Sequence, residues 1–276
     1  MEIKMETEIK DTIRDIDQRE WSMLVGTDHI ERSHAWYRTI EDSRMRTMHY
    51  VLLKENDTLV AAACCFCYKE RMYVELPLLE VRSPLGTSSA FFSKTPEHTR
   101  LLLCELEEIR KREKAKGLSL LELTEKEYAS IGNQMRGFIH FPIFEETYID
   151  LAFGGFGEYL EFLKYSARRS VKKTLTKTKK WKIRTHFTTE LSLWKEVAHR
   201  LRGLTCEEHN SDKMYLTEQF YEACERNLKE KAELLLCFKD DVPIASGLSF
   251  HSSTVTLCKF VGIDPQYREY QAYFLM

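Results

Sequence analysis

The sequence predicts an α/β (α+β) protein of two tandem units, each a mixed, mostly antiparallel sheet flanked by helices, joined by a basic helix. Three observations carry that expectation. The order helix, helix, β-hairpin, third strand, loop, helix reads twice along the 276 residues. Only 11 Gly and 6 Pro interrupt a chain that is 43% hydrophobic, so regular elements and a buried core are expected rather than a loop-rich scaffold. Between the two copies, Lys164 to Arg184 holds ten basic residues and no acidic one. The expected segments are 1–153 for the first unit, 154–187 for the basic connector and 188–276 for the second unit. That second unit is expected to be incomplete at its C-terminal end, since the sequence stops where its last helix would begin.

In the first unit, a charged leader precedes helical stretches at 17–24 and 33–46, the second with Trp36, Tyr37 and Ile40 on one face. HYVLLKEN and TLVAAACCFCYKE, joined at Asn56-Asp57, read as a hairpin, and MYVELPLLEV as a third strand. SPLGTSSAFFSKTP is turn-rich. A helix from about His98 to Lys116 follows, with Leu102, Leu106 and Ile109 at helical spacing and Gly117 as its stop. LSLLELT is a fourth strand, and TYIDLAF around Ile149 a later one.

FGGFG lacks the spacing of a phosphate loop and reads as a flexible turn. The helix it opens is expected to run unbroken from Glu158 to about Lys180, with Leu160, Leu163, Ala167, Val171 and Leu175 as its apolar stripe. WKIRTHF looks like a strand. In the second unit, helix 190–203, the polar loop TCEEHNSDKM and helix 215–230 lead to ELLLCFK, VPIASGLSFH and TVTLCKFVGI as strands. REYQAYFLM reads as a helix just beginning.

The net charge of −2 hides a +10 connector on a body of −12. Eight irregularly spaced cysteines do not make a disulfide scaffold. Cys64, Cys65 and Cys67 read as small hydrophobes of a buried strand, with no histidine nearby to complete a zinc site. The N-terminus lacks the apolar stretch of a secretory signal, and no run approaches the ~20 apolar residues of a membrane span. A reduced, cytoplasmic protein without a resident metal is expected. The oligomeric state is not readable.

Two helices, a three-strand meander and a helix opening from the third strand form the core order of the GNAT acyltransferase fold. The tandem pair joined by a basic helix resembles the Fem-type peptidoglycan aminoacyltransferases and related GNAT-like acetyltransferases. VRSPLGTSS, YSARRSVKKTLTKTKKWKI and FVGIDPQYREYQAYFLM carry the resemblance. It implies an enzyme, an N-acyltransferase, moving an acyl group from acyl-CoA (acetyl-CoA) to a small-molecule or nucleotide-linked amine. The alternatives it leaves are a Fem-like aminoacyltransferase using aminoacyl-tRNA and a non-catalytic binding module on the same fold. One departure stands out. The pyrophosphate loop of GNAT enzymes is usually glycine-containing, whereas Arg268-Glu269-Tyr270-Gln271-Ala272 has no glycine.

Acyl transfer to an amine needs a base, an oriented donor, an oxyanion contact and an acid for the leaving group. The resemblance places the donor along Lys259 to Ile263, with Lys259, Val261 and Gly262 as donor-site residues and Gly262 admitting a close backbone approach. A plain bulge or strand-end turn explains Gly262 equally. Arg268, opening the last helix, suits a phosphate, or is a solvated arginine. Tyr270 is a candidate general acid, or a packing residue. Glu207, Glu208 and His209, in the polar loop, are candidate bases, or charged surface groups. Arg168, Arg169, Lys172 and Lys173 are the candidate phosphate-binding cations of the basic helix. That helix faces a substrate cleft, binds nucleic acid such as tRNA, or is only a solvated face.

Overall fold

The computed structural model describes the whole chain except residues 1–3, 72–74, 143–146, 212–214 and 276. Its first element is a strand where a charged leader is expected. Strand β1 (Met5–Lys10) pairs antiparallel with β2 (Met48–Glu55), from Met5 opposite Glu55 to Lys10 opposite Tyr50. A charged strand is acceptable there because β1 is the sheet edge, where charges discourage pairing with other chains. Between the two lie helices α1 (Gln18–Val25) and α2 (His34–Asp42). Asp17 accepts the Arg19 and Glu20 N–H groups at one helix start, and Ser33 accepts that of Trp36 at the other. Trp36, Tyr37 and Ile40, the face picked out by spacing, are fully buried.

Asn56 and Asp57, at φ 48° and 63°, turn β2 into β3 (Thr58–Arg71). Strand β4 (Glu75–Val81) continues the meander, so the first three residues of the expected third strand lie outside the described residues. The short β5 (Phe91–Phe92) adds to β3. Helix α3 (Pro96–Arg112) starts with Thr95 capping the His98 N–H and Pro96 in the first turn, and ends in Arg110, Lys111 and Arg112. It buries Leu102, Leu106 and Ile109 against Val51, Ala61, Ala63 and Leu79. Strand β6 (Gly117–Leu120) pairs parallel with β4, which makes the sheet β1-β2-β3-β4-β6 mixed but mostly antiparallel. Helix α4 (Glu125–Ile131), unforeseen, is opened by the capping box Thr124/Glu127.

Residues 147–153 form no strand, contrary to expectation. Tyr148, Ile149 and Leu151 are exposed, so no sheet receives their alternation. The expected long helix is two helices, α5 (Phe156–Phe162) and α6 (Tyr165–Lys180), because Leu163 and Lys164 take extended ψ angles of 144° and 146°. Strand β7 (Arg184–Thr188) follows. Then comes α7 (Leu191–Glu208), which ends five residues later than expected. Glu207 and Glu208 therefore sit on a helix and not in a loop. Helix α8 (Glu218–Leu228) and strands β8 (Ala232–Lys239), β9 (Val242–His251) and β10 (Thr256–Ile263) match the expected order, in a sheet β10-β9-β8-β7. The last stretch forms 3-10 turns at Pro265–Tyr270 and Ala272–Leu275 rather than an α-helix, with Gln271 left-handed between them.

By packing, the chain forms two compact units, and neither is one continuous stretch. Residues 1–140, 216–232 and 250–257 make the first, and 141–215, 233–249 and 258–276 the second. In the first unit α8 lies against α2. Phe220 and Phe250 meet the Trp36 ring edge-on at 6.2 and 5.1 Å, and Asn227 donates to Asp42 at 3.0 Å.

Candidate active site

Strand β10 lies at the edge of its sheet and carries an irregularity that no residue pattern reveals. Buried Phe260 has φ 43°, a left-handed residue inside a strand, as at a bulge. Val261 and Ile263, two residues apart, direct their backbone groups to the same side. There Arg202 Nη1 donates to the Val261 carbonyl at 2.8 Å, and the Ile263 N–H donates to Thr205 Oγ1 at 2.8 Å. Helix α7 supplies both partners. Gly262 does mark a close backbone approach, and the body that approaches is that helix: a Cβ there would stand 2.6 Å from Arg202 N and 2.7 Å from Leu201 C. Lys259, half-buried, holds its ammonium 5.6 Å from the Phe260 ring.

Beyond the strand, buried Asp264 accepts the Gln266 N–H at 3.1 Å and meets Arg200 at 3.2 Å. A carboxylate thus caps the exit turn, whose sequence lacks glycine. The first unit has a parallel arrangement after β4. Glu31, fully buried, accepts the Thr87 N–H at 2.8 Å in a loop where Gly86 has no room for a Cβ beside that carboxylate. Asp264 is readable locally as an Asp-Pro cap, whereas Glu31 has no local signal, being 56 residues from its partner.

Among the predicted site residues, the structure brings Glu208 and Arg268 together as an ion pair. Glu207 and His209 are exposed at the end of α7. Tyr270 packs: Trp181 meets it edge-on at 5.6 Å, Tyr267 lies 6.1 Å away, and Lys239 sits over its ring at 5.7 Å. It belongs with Ile183, Ile263 and Leu275 around Cys237, Ile244, Ala245 and Ala272.

The basic helix divides by face. Val171, Thr174 and Thr178 turn inward, with Arg168 half-buried beside them, while Arg169, Lys172 and Lys173 point to solvent. The expected stripe is rotated, for Ala167 and Leu175 are exposed. Among the described residues, no acid pairs with any cation from Lys164 to Lys182, whereas Arg184 pairs with Asp241. Among the described residues no group of His, Cys, Asp and Glu is placed to hold a metal ion, and no helix is long and apolar enough to cross a membrane.

In fold the chain is similar to the crystal structure of FemX, with a TM-score of 0.57 and 11% identity over 97% of this chain and 83% of that one. A GCN5-related N-acetyltransferase from Kribbella flavida aligns with a TM-score of 0.46 and 11% identity, over 98% of this chain and 60% of its own. A conserved protein of unknown function from Bacteroides thetaiotaomicron VPI-5482 aligns with a TM-score of 0.46 and 12% identity, over 92% and 80%. No curated protein sequence matches. The fold is therefore of the Fem type. A FemAB-like family model, described as peptidoglycan biosynthesis/recognition, matches residues 86–268, about two thirds of the sequence, and the chain belongs to that family.

Proposed function

We propose that this protein is an N-acyltransferase acting on an amine of a phosphate-bearing, peptidoglycan-related acceptor in the cytoplasm. The observation that carries the reading is the Glu208–Arg268 pair, which joins a candidate base to a candidate phosphate ligand at the exit of the bulged strand β10. In the reaction the amine nitrogen attacks the donor carbonyl. The new C–N bond forms as the bond from carbonyl carbon to the leaving oxygen or sulfur breaks, Glu208 accepts the amine proton, and the leaving group is protonated from solvent. Arg268 and the half-buried Arg168 meet anionic oxygens of the substrates.

Two donors suit this chemistry. Asp264 capping the exit turn, and the absence of glycine there, disfavour the pyrophosphate of an acyl-CoA and favour an aminoacyl ester of tRNA. The bulge at Phe260 and the adjacent Arg268 keep acyl-CoA as the second reading. Offering the full chain amine-bearing peptidoglycan precursors with either acetyl-CoA or charged tRNA separates them by which label reaches the acceptor. Glu208→Gln is expected to lower kcat by about 10²–10⁴-fold with KM little changed. Label transfer by neither donor, or full activity in that variant, overturns the assignment.

A further inference from the structure

The second unit displays apolar side chains where a folded protein normally hides them. Ile149 and Leu151 are 61% and 72% exposed, and α5 presents Phe156 and Phe162 at 56% and 74%. The α5 rings touch neighbouring rings instead of a core: Phe156 meets Tyr159 at 6.0 Å, and Phe162 meets Phe153 at 5.3 Å. After the two-residue link, α6 sets exposed Tyr165 on one face with Arg169, Lys172, Lys173 and Lys180, at spacings that return to the same side of a helix. Those cations have no acidic partner among the described residues.

Contiguous exposed apolar groups mark a contact surface. Joined to a cationic helix face, they have the chemistry that an anionic bilayer takes up, with aromatics entering the acyl boundary and cations meeting headgroup phosphates. We infer that residues 149–180 form a peripheral docking surface for an anionic lipid membrane. Phe156 and Phe162 enter the interface, and the outward cations of α6 hold the headgroups. Two alternatives fit less well. A second copy docking through the same face would bring like charge against like. A single-stranded nucleic acid needs aromatic faces interleaved with the cations, and Trp181 is engaged edge-on with Tyr270 instead. The inference does not depend on acyl transfer.

Sedimentation of the full chain with phosphatidylcholine vesicles, with and without phosphatidylglycerol, tests it. Binding is expected only with phosphatidylglycerol and is expected to weaken with salt. Phe162→Ser should weaken it about tenfold or more. Arg169→Glu/Lys173→Glu should weaken it more than about tenfold, each cation counting for ~fivefold. All these side chains are exposed, so thermal melting should stay unchanged and exclude unfolding as the cause. The inference is overturned by absence of vesicle binding, by equal binding to pure phosphatidylcholine, or by variants that bind like the parent. A gel shift of tRNA lost in the charge-reversed variant but kept in Phe162→Ser, without vesicle binding, identifies a nucleic-acid surface and also overturns it. Transfer to a soluble amine, measured without vesicles, reports the active site separately.

Discussion

A methyl group at position 262 has nowhere to go. Its nearest neighbours would be backbone atoms of α7 within 2.7 Å, and backbone cannot step aside as a flexible side chain does. Gly262→Ala is expected to cost about 1–3 kcal/mol, read as a lower urea midpoint, whereas Gly155→Ala, with open space around it, should leave the midpoint unchanged. The glycine was legible as a close approach. What approaches was not, because Arg202 and Thr205 stand about sixty positions earlier and nothing in their spacing points to a strand edge. The same distance hid Glu31 and its grip on Thr87. Tyr270 illustrates a third case: its neighbourhood of Tyr and Trp is compatible with chemistry or packing, and the edge-on contact with Trp181 is visible only in the structure.

Among the elements, hairpins were the most legible, and β1 and α4 the least. Asn56-Asp57 and Asp240-Asp241 each place two left-handed residues between strands, the geometry that short polar pairs signal. Glycine tolerates the second position better than aspartate, so Asp57→Gly is expected to raise stability by about 0.5 kcal/mol in thermal or denaturant unfolding. In α6, apolar periodicity misjudged the inward face because threonines and Val171 line it, while Ala167 and Leu175 lie outside. Capping chemistry was the missed signal for α4, where Thr124 and Glu127 stand at the spacing of a capping box. The contact of α2 with α8 has an electrostatic side. Burial works to raise the Asp42 carboxyl, yet hydrogen bonds from Asn227 and Arg14 outweigh it and hold the group below the usual carboxylate range. Its contribution is therefore present at neutral pH and lost as pH falls below about 4. Asp42→Asn should lower stability at pH 7 by about 1 kcal/mol and flatten the acid limb of the stability curve.

For the molecule as a whole, the order of elements was readable and the partition of its mass was not. Nothing local in residues 216–232 tells that they pack with the first 140 residues. A fragment ending at residue 153 would leave Trp36, fully buried in the whole chain, without Phe220 and Phe250. That fragment is expected to bind a hydrophobic dye and to lack a cooperative melt, whereas the full chain melts cooperatively. A fragment that melts like the parent would show that α8 adds nothing to the first unit.

The interrupted make-up of that unit also bears on how the protein is born. At the ~5–20 residues per second of translation, roughly ten seconds separate the synthesis of residue 140 from that of the last segment the unit requires. Through that interval the nascent chain holds a complete sheet beside an uncovered indole, so the first unit matures only after residue 257 has emerged.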